Sequence, residues 1–329
     1  MNTKSTLAAA ATAMMMSGGA WAAESVTLTL NWTPTADHAP YYYAKAQGWY
    51  EEAGIDLTIE TGRGSGTTAQ RVGVGAVQFG IADMATALVA RSKGADLVAV
   101  MSVYANTPQG FYWLKSSGIE GPKDFVNHSI GNPPGDASRV MWPAFAAAAG
   151  IDPLEVSFVN ISPQAKMPSL KSGAVDIISD FYNEHDLKVQ EFGDDLGYVS
   201  WRDVGLNPYG NSVLVNGAYL AENRGVVADF VRITQKAFAT CVEDVTPCLD
   251  ALLGAVTGLD EPTQRNQWNR IKELMTDDFT TTVALGWFDA DRMADDYNLV
   301  ETYFGLDQPF EVTATYTTEF LDQSLRMPK

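Results

Sequence analysis

"GWYEEAGIDLTIETGRGSGTTAQRVGVGAVQFGIAD" (residues 48–83) contains two strand patterns separated by one helix pattern. In "IDLTIE" (55–60) Ile, Leu and Ile alternate with Asp, Thr and Glu, the period of a half-buried strand. "FGIAD" (79–83) is a short apolar run of the kind found in a buried strand, and "GSGTTAQRVGVGA" (64–76) opens a helix between the two. Strand, helix and strand at this spacing read as a parallel βαβ unit covered on both faces.

The pattern extends in both directions. Upstream, "VTLTLN" (26–31) reads as a strand and Ala39–Ala53 as a helix stopped by Gly54. Downstream come the helix "ATALVARSKG" (85–94) and the strand "DLVAVMSVY" (96–104), so a first lobe fills by about Asn106. A second series follows, with strands "HSIGN" (128–132), "VSFVN" (156–160), "VDIISD" (175–180) and "GYVSW" (197–201). Helices are predicted between them at Ala137–Ala149, Pro163–Lys171 and Asn183–Glu191. "NSVLVN" (211–216) resumes the first series and leads into a long helical tail. The economical topology is a two-lobe α/β chain, with 23–110 and 212–329 forming one lobe and 111–211 the other. Two crossings are expected, near Gln109–Leu114 and Asn207–Val213, with the ligand cleft at the carboxyl ends of the strands.

The N-terminus reads as a secretory signal peptide over residues 1–22. Lys4 gives a short positive region, Thr6–Gly19 an apolar one, and Ala20-Trp21-Ala22 a cleavage site. The stretch is too short for a membrane span, so an exported, periplasmic protein is expected. A net charge of −18 argues against nucleic acid or anionic membrane as partner, because both would repel it. Cys241 and Cys248, in "CVEDVTPC", favour a disulfide in an oxidising compartment; the other reading is two free thiols at a helix corner. No metal site is expected, since Cys-x6-Cys has no histidine nearby and His38, His128 and His185 are scattered.

With the idiom of residues 48–83 in an exported two-lobe chain, the sequence resembles the solute-binding proteins that feed ABC importers, of the type II two-lobe fold. Within that superfamily "NWTPTADHAPYYYA" (31–44) is similar to the branch that binds thiamine-precursor pyrimidines and that includes a pyrimidine synthase. It looks less like the sulfonate, taurine and nitrate branch, which lacks this Trp-Thr-Pro and Asp-His segment. The resemblance implies a small-molecule ligand, a permease partner in the inner membrane, a monomer, and no cofactor.

Several residues are candidates for the ligand site. Asn31 and Trp32 stand at the end of the first strand, where an indole covers a flat ring and an amide bonds its edge; alternatively Trp32 packs under the next helix. Asp37 is either that helix's N-cap or a ligand group, and His38 beside it suits a ring nitrogen or carbonyl, with Asp37 fixing its tautomer. Of Tyr41, Tyr42 and Tyr43 only one can face a cleft, because helical neighbours point about 100° apart; Tyr42 is chosen. Gly64, Ser65 and Gly66 offer N–H groups to an anion or carbonyl, unless they form only a turn. Thr86 either caps or contacts the ligand. In the second lobe Asp136 caps a helix, Ser138 starts it, and Arg139 either clamps a carboxylate or pairs on the surface. Tyr182 and Glu184, after "VDIIS", would close the site as a stacking ring and an N–H acceptor, Glu184 also being a residue type that helix N-termini favour.

No catalytic set is visible, and the expected class is a receptor with no enzymatic activity. Two alternatives stay open. One is the same receptor for a sulfonate or aromatic carboxylate held by Gly64–Gly66 and Arg139. The other is an enzyme like the pyrimidine synthase, whose resemblance implies pyridoxal phosphate, an aldimine lysine, a substrate histidine and a Cys-rich run; "GRGSGTTAQ" supplies no Lys or His.

Overall fold

The computed structural model describes residues 23–329, so the expected signal peptide lies outside the described residues. Ten strands follow in chain order: β1 (Glu24–Thr29), β2 (Ile55–Glu60), β3 (Phe79–Asp83), β4 (Leu97–Ser102) and β5 (Gln109–Leu114). Then come β6 (Ser129–Asn132), β7 (Ser157–Asn160), β8 (Ile177–Phe181), β9 (Leu196–Ser200) and β10 (Asn211–Asn216). They form two five-stranded sheets, ordered β2-β1-β3-β10-β4 and β7-β6-β8-β5-β9. This is the expected α/β arrangement of two sheets.

The sheets are mixed, which the helix-strand alternation does not anticipate. β10 runs antiparallel to β3 and β4, and β5 antiparallel to β8 and β9. Each of these strands follows a passage from the other sheet, and entering from the far end reverses its direction. The expected crossings therefore shift: Gln109–Leu114 is itself a strand, with Gln109 opposite Phe181. The chain passes between sheets through 103–108 and 201–210 instead.

The predicted helix 39–53 divides into Ala39–Ala46 and Trp49–Glu52. Between them Gly48 takes φ +74°, a left-handed value open to glycine. Under the first sheet, Phe79 stacks on Phe230 of helix Arg224–Glu243 with centroids 4.0 Å apart. Tyr41 meets Phe238 of the same helix edge-on at 5.4 Å. Each such fully buried aromatic contributes about 1.5–3 kcal/mol by burial. The sheet's other face lies under helices Ser65–Gly73 and Met84–Ser92, and this apolar layer continues into Phe111 and Phe145 beside the second sheet. Helix Ala290–Phe304 packs on helices Met84–Ser92 and Trp142–Ala149, one beside each sheet.

Cys241 and Cys248 are disulfide-bonded and fully buried, joining helix Arg224–Glu243 to helix Thr246–Ala255. Closing so small a loop is worth roughly 2 kcal/mol. Alkylation of the unfolded, unreduced protein is expected to label neither cysteine, and reduction to lower the urea midpoint correspondingly; two labelled thiols would contradict the bridge. No helix among the described residues is long and apolar enough to cross a membrane.

Candidate ligand-binding site

A small, partly closed cavity lies between the sheets. Its wall is built from the segments that leave the carboxyl ends of parallel strands: Asn31 and Trp32 after β1, Gly64 and Ser65 after β2, Asp136 and Ala137 after β6. Asp180 and Phe181 end β8, and Asn183 and Glu184 follow it. Strand ends converge on such a crevice because each strand must turn there, leaving unpaired backbone and side chains directed at the gap.

On the first sheet's rim the chain makes a 3-10 turn (Ala36–His38) before helix Ala39–Ala46. Thr35 precedes this turn and Asp37 sits inside it, so Asp37 is not the helix cap. The Asp37 carboxyl is buried; Oδ1 accepts from Thr35 Oγ1 at 2.6 Å and Oδ2 from Asn211 Nδ2 at 3.2 Å. His38 is also buried, with Nε2 2.9 Å from Asn31 Oδ1 and Nδ1 accepting from the Thr35 backbone N–H at 3.1 Å. Burial pulls its imidazole below the ordinary value despite the neighbouring Asp37, so it is neutral.

The second sheet supplies a buried charge cluster. Asp136 caps helix Ala137–Val140 through the Ser138 N–H, and its Oδ2 pairs with Lys166 Nζ at 2.7 Å. Asp180 lies 3.8 Å from the same ammonium and 2.7 Å from Lys188 Nζ. Burial works to raise Asp180, but Lys188 and Lys166 outweigh it and hold that carboxylate low. Burial, with Asp180 beside it, pushes Glu184 up to about 8, although Lys188 is 3.8 Å away. Burial also opposes charge on Lys166, yet Asp136 and Asp180 prevail and its ammonium is held above the ordinary lysine value. Its Nζ stands 4.3 Å from the centre of the Trp32 ring, a cation–π contact between the two sheets.

The rims also touch directly. The Gly66 N–H donates to Gly135 O at 3.0 Å. A Cβ placed on Gly64 would lie 2.3 Å from that same carbonyl oxygen, so backbone meets backbone where only glycine fits. Elsewhere Arg270 of helix Glu261–Met275 bonds Asp186 at 2.9 Å and reaches the Tyr182 hydroxyl.

Of the candidate residues, Asn31, Trp32, Asp37, His38, Gly64, Ser65 and Glu184 line the cavity. Six do not. Tyr42 is half-buried against the first core, because the helical phase turns Tyr41 inward and leaves none of the three tyrosines facing the cavity. Gly66 bonds the opposite rim. Thr86 is buried behind Asp83, bonded to its Oδ1 through N and Oγ1. Ser138 donates to Gln109 Oε1 at 2.9 Å. Arg139 points outward to Asn160 and the Phe158 ring. Tyr182 turns toward Arg270, Tyr198 and His185.

Sequence reasoning missed Thr35, Ala137, Lys166, Asp180, Phe181 and Asn183, and took Asp136 as a cap. A usable signal existed. Two acids, at the end of a strand ("IISD", 177–180) and in the turn after another ("PPGD", 133–136), demand a buried cation if the strands adjoin.

The comparisons agree with this architecture. A family described as NMT1/THI5 like matches residues 35–245, more than half of the chain. The chain is similar to the formylaminopyrimidine-binding protein of Halalkalibacterium halodurans, 28% identical over 234 residues that cover 70% of this chain and 71% of the relative. It is also similar to a 4-amino-5-hydroxymethyl-2-methylpyrimidine phosphate synthase of Legionella pneumophila, 24% identical over 303 residues, 90% of this chain and 92% of that one. Among solved structures, the alkanesulfonate-binding protein SsuA of Xanthomonas axonopodis pv. citri bound to MOPS shares the fold, with TM-score 0.70 and 14% identity over 89% of this chain and 98% of that one. The two-sheet architecture and the family match lead to one conclusion: the chain belongs to the NMT1/THI5-like family.

Proposed function

We propose that the protein is the exported, monomeric receptor of an ABC importer, whose lobes (23–110 with 212–329, and 111–211) close on a planar, N–H-rich heterocycle of the aminopyrimidine class. The observation that carries this reading is the polarity of the cavity wall. Four acids, Asp37, Asp136, Asp180 and Glu184, line it against one lysine, and that lysine is already paired. Such a wall accepts hydrogen bonds and, with Lys166 already paired, offers an anion no free cation. The formylaminopyrimidine-binding relative points the same way. Trp32 would cover one face of the ring, and a periplasmic location follows from the receptor reading.

A sulfonate or carboxylate ligand fits poorly. The Gly64 N–H is spent on Asn31 O at 2.7 Å, the Gly66 N–H on Gly135, and Arg139 lies outside the cavity. The synthase reading, raised by the Legionella relative, meets a similar obstacle. Lys166 is the lysine of the cavity wall, and aldimine chemistry needs a free amine, whereas this ammonium is held protonated between Asp136 and Asp180. The residues present do not fit pyridoxal phosphate.

Glu184 gives the sharpest test. Ligand N–H groups bond the ionised carboxylate, and burial with Asp180 beside it pushes Glu184 up to about 8 without ligand, so binding at pH 7 should release protons. Affinity for a formylaminopyrimidine should then rise about tenfold per pH unit up to pH 8. The fold responds with the opposite sign. A carboxyl raised on folding adds stability at low pH that is lost as pH climbs through about 8. Glu184→Gln should abolish the proton release and weaken a pyrimidine by about 1–3 kcal/mol, and Trp32→Ala should weaken it by a similar amount, about 1–3 kcal/mol. Calorimetry in buffers of different ionisation enthalpy reads both effects; zero proton release with undiminished binding by both variants would refute the site.

A further inference from the structure

We propose that His38 is a positioning residue: it fixes the side-chain amide of Asn31 so that the NH2 group faces the cavity. The inference rests on the receptor reading above and specifies what edge of a ligand the first sheet's rim accepts.

The tautomer of His38 follows from the backbone. The Thr35 amide N–H points at Nδ1 from 3.1 Å, and an amide N–H can only donate. Nδ1 must therefore present its lone pair, and the ring hydrogen sits on Nε2. Asp37 Oδ1 is 3.2 Å from the same Nδ1 and also accepts from Thr35 Oγ1 at 2.6 Å, so it is the Thr35 N–H that sets the tautomer. A hydrogen on Nδ1 would meet the Thr35 N–H head-on.

With Nε2–H donating, its neighbour at 2.9 Å must be an acceptor, which is the carbonyl oxygen of the Asn31 amide. An exposed asparagine flips its amide at little cost. Here a flip would set N–H against N–H inside a buried turn, a loss large enough to hold one orientation. The amide nitrogen has no hydrogen-bond partner among the described residues, and Asn31 borders the cavity. The rim thus offers the cavity a donor from Asn31. Its complement is a ligand acceptor, such as the unprotonated ring nitrogen of an aminopyrimidine. A 4-oxo ring with N3–H presents a donor at that nitrogen instead.

Two measurements test this. Nitrogen-15 shifts of the imidazoles are resolvable with three histidines in the chain. The His38 ring should show a bare Nδ1 and a protonated Nε2, and a protonated Nδ1 would overturn the proposal whatever the ligand is. Calorimetry with 2-methyl-4-aminopyrimidine and its 4-oxo analogue reads the consequence. The unmodified protein should prefer the amino compound by at least tenfold. Asn31→Asp, nearly the same shape, replaces the inward donor by an acceptor and should cancel or reverse that preference. His38→Met frees the amide to flip and should shrink the preference at least fivefold, with folding checked by circular dichroism. Undiminished discrimination in both variants would overturn the proposal while leaving the receptor reading intact. Binding of neither compound to the unmodified protein would count against the receptor reading, and the nitrogen shifts would still decide the His38–Asn31 arrangement.

Discussion

Replacing Lys188 by methionine is expected to remove about 3–5 kcal/mol of folding stability, the cost of leaving a buried acid without its counter-ion. Lys188 is fully buried in helix His185–Phe192 and pairs with Asp180 Oδ2 at 2.7 Å. It also donates to the Glu184 carbonyl oxygen at 3.2 Å, and its Nζ lies 4.9 Å from the centre of the Tyr112 ring. Methionine matches the stem but offers no donor, so Asp180 would retain only Lys166, at 3.8 Å. Urea unfolding followed by tryptophan fluorescence reads the loss. The double variant Lys188→Met, Asp180→Asn should recover a large part of it, because the stranded charge goes with its partner. A single variant as stable as the unmodified protein would mean that the cluster is hydrated and that the buried-charge description of the second rim is wrong.

Gly64→Ala should weaken ligand binding by about 2–4 kcal/mol, combining a steric clash with backbone strain. Gly64 holds φ +124°, and a Cβ there would lie 2.3 Å from Gly135 O and 2.8 Å from the Asp136 amide nitrogen on the facing rim. Backbone atoms cannot rotate aside as a side chain can, so the rims must separate. Gly54→Ala is the control: Gly54 has φ +75°, but a methyl group there would meet nothing within 4 Å, so the substitution carries strain without the clash. Gly54→Ala should lose roughly 1 kcal/mol of stability and no affinity. X-ray scattering of Gly64→Ala with saturating ligand should give a larger radius of gyration than the unmodified complex. Equal affinity and equal radius would show that contact between the rims is not part of binding.

The parts of this molecule that depend on neighbours in sequence are legible from the residues alone. The alternation in "IDLTIE" and the apolar "FGIAD" locate β2 and β3. Asn31, Trp32 and His38 come soon after a strand, where position alone directs them to the crevice. Features that depend on distant partners are not legible. Lys166 sits in a polar segment that looks solvent-exposed, and only the adjacency of β6 and β8 brings Asp136 and Asp180 around it. Tyr182 turns away from the cavity because of Arg270, a residue of a helix far along the chain. The choice of Tyr42 fails on helical phase, which the core of helix Arg224–Glu243 sets by taking Tyr41. Gln109 is expected in a crossing because nothing local indicates that a strand will run antiparallel in a second sheet.

Capture of an N–H-rich heterocycle and rejection of anions by an acid-rich cavity between two sheets is the central claim. The most direct measurement is calorimetric titration of the purified protein at pH 7 with a formylaminopyrimidine and, separately, with an alkanesulfonate. The expected result is saturable binding of the pyrimidine with release of protons, and no heat from the sulfonate. Saturable binding of the sulfonate with none of the pyrimidine would contradict it.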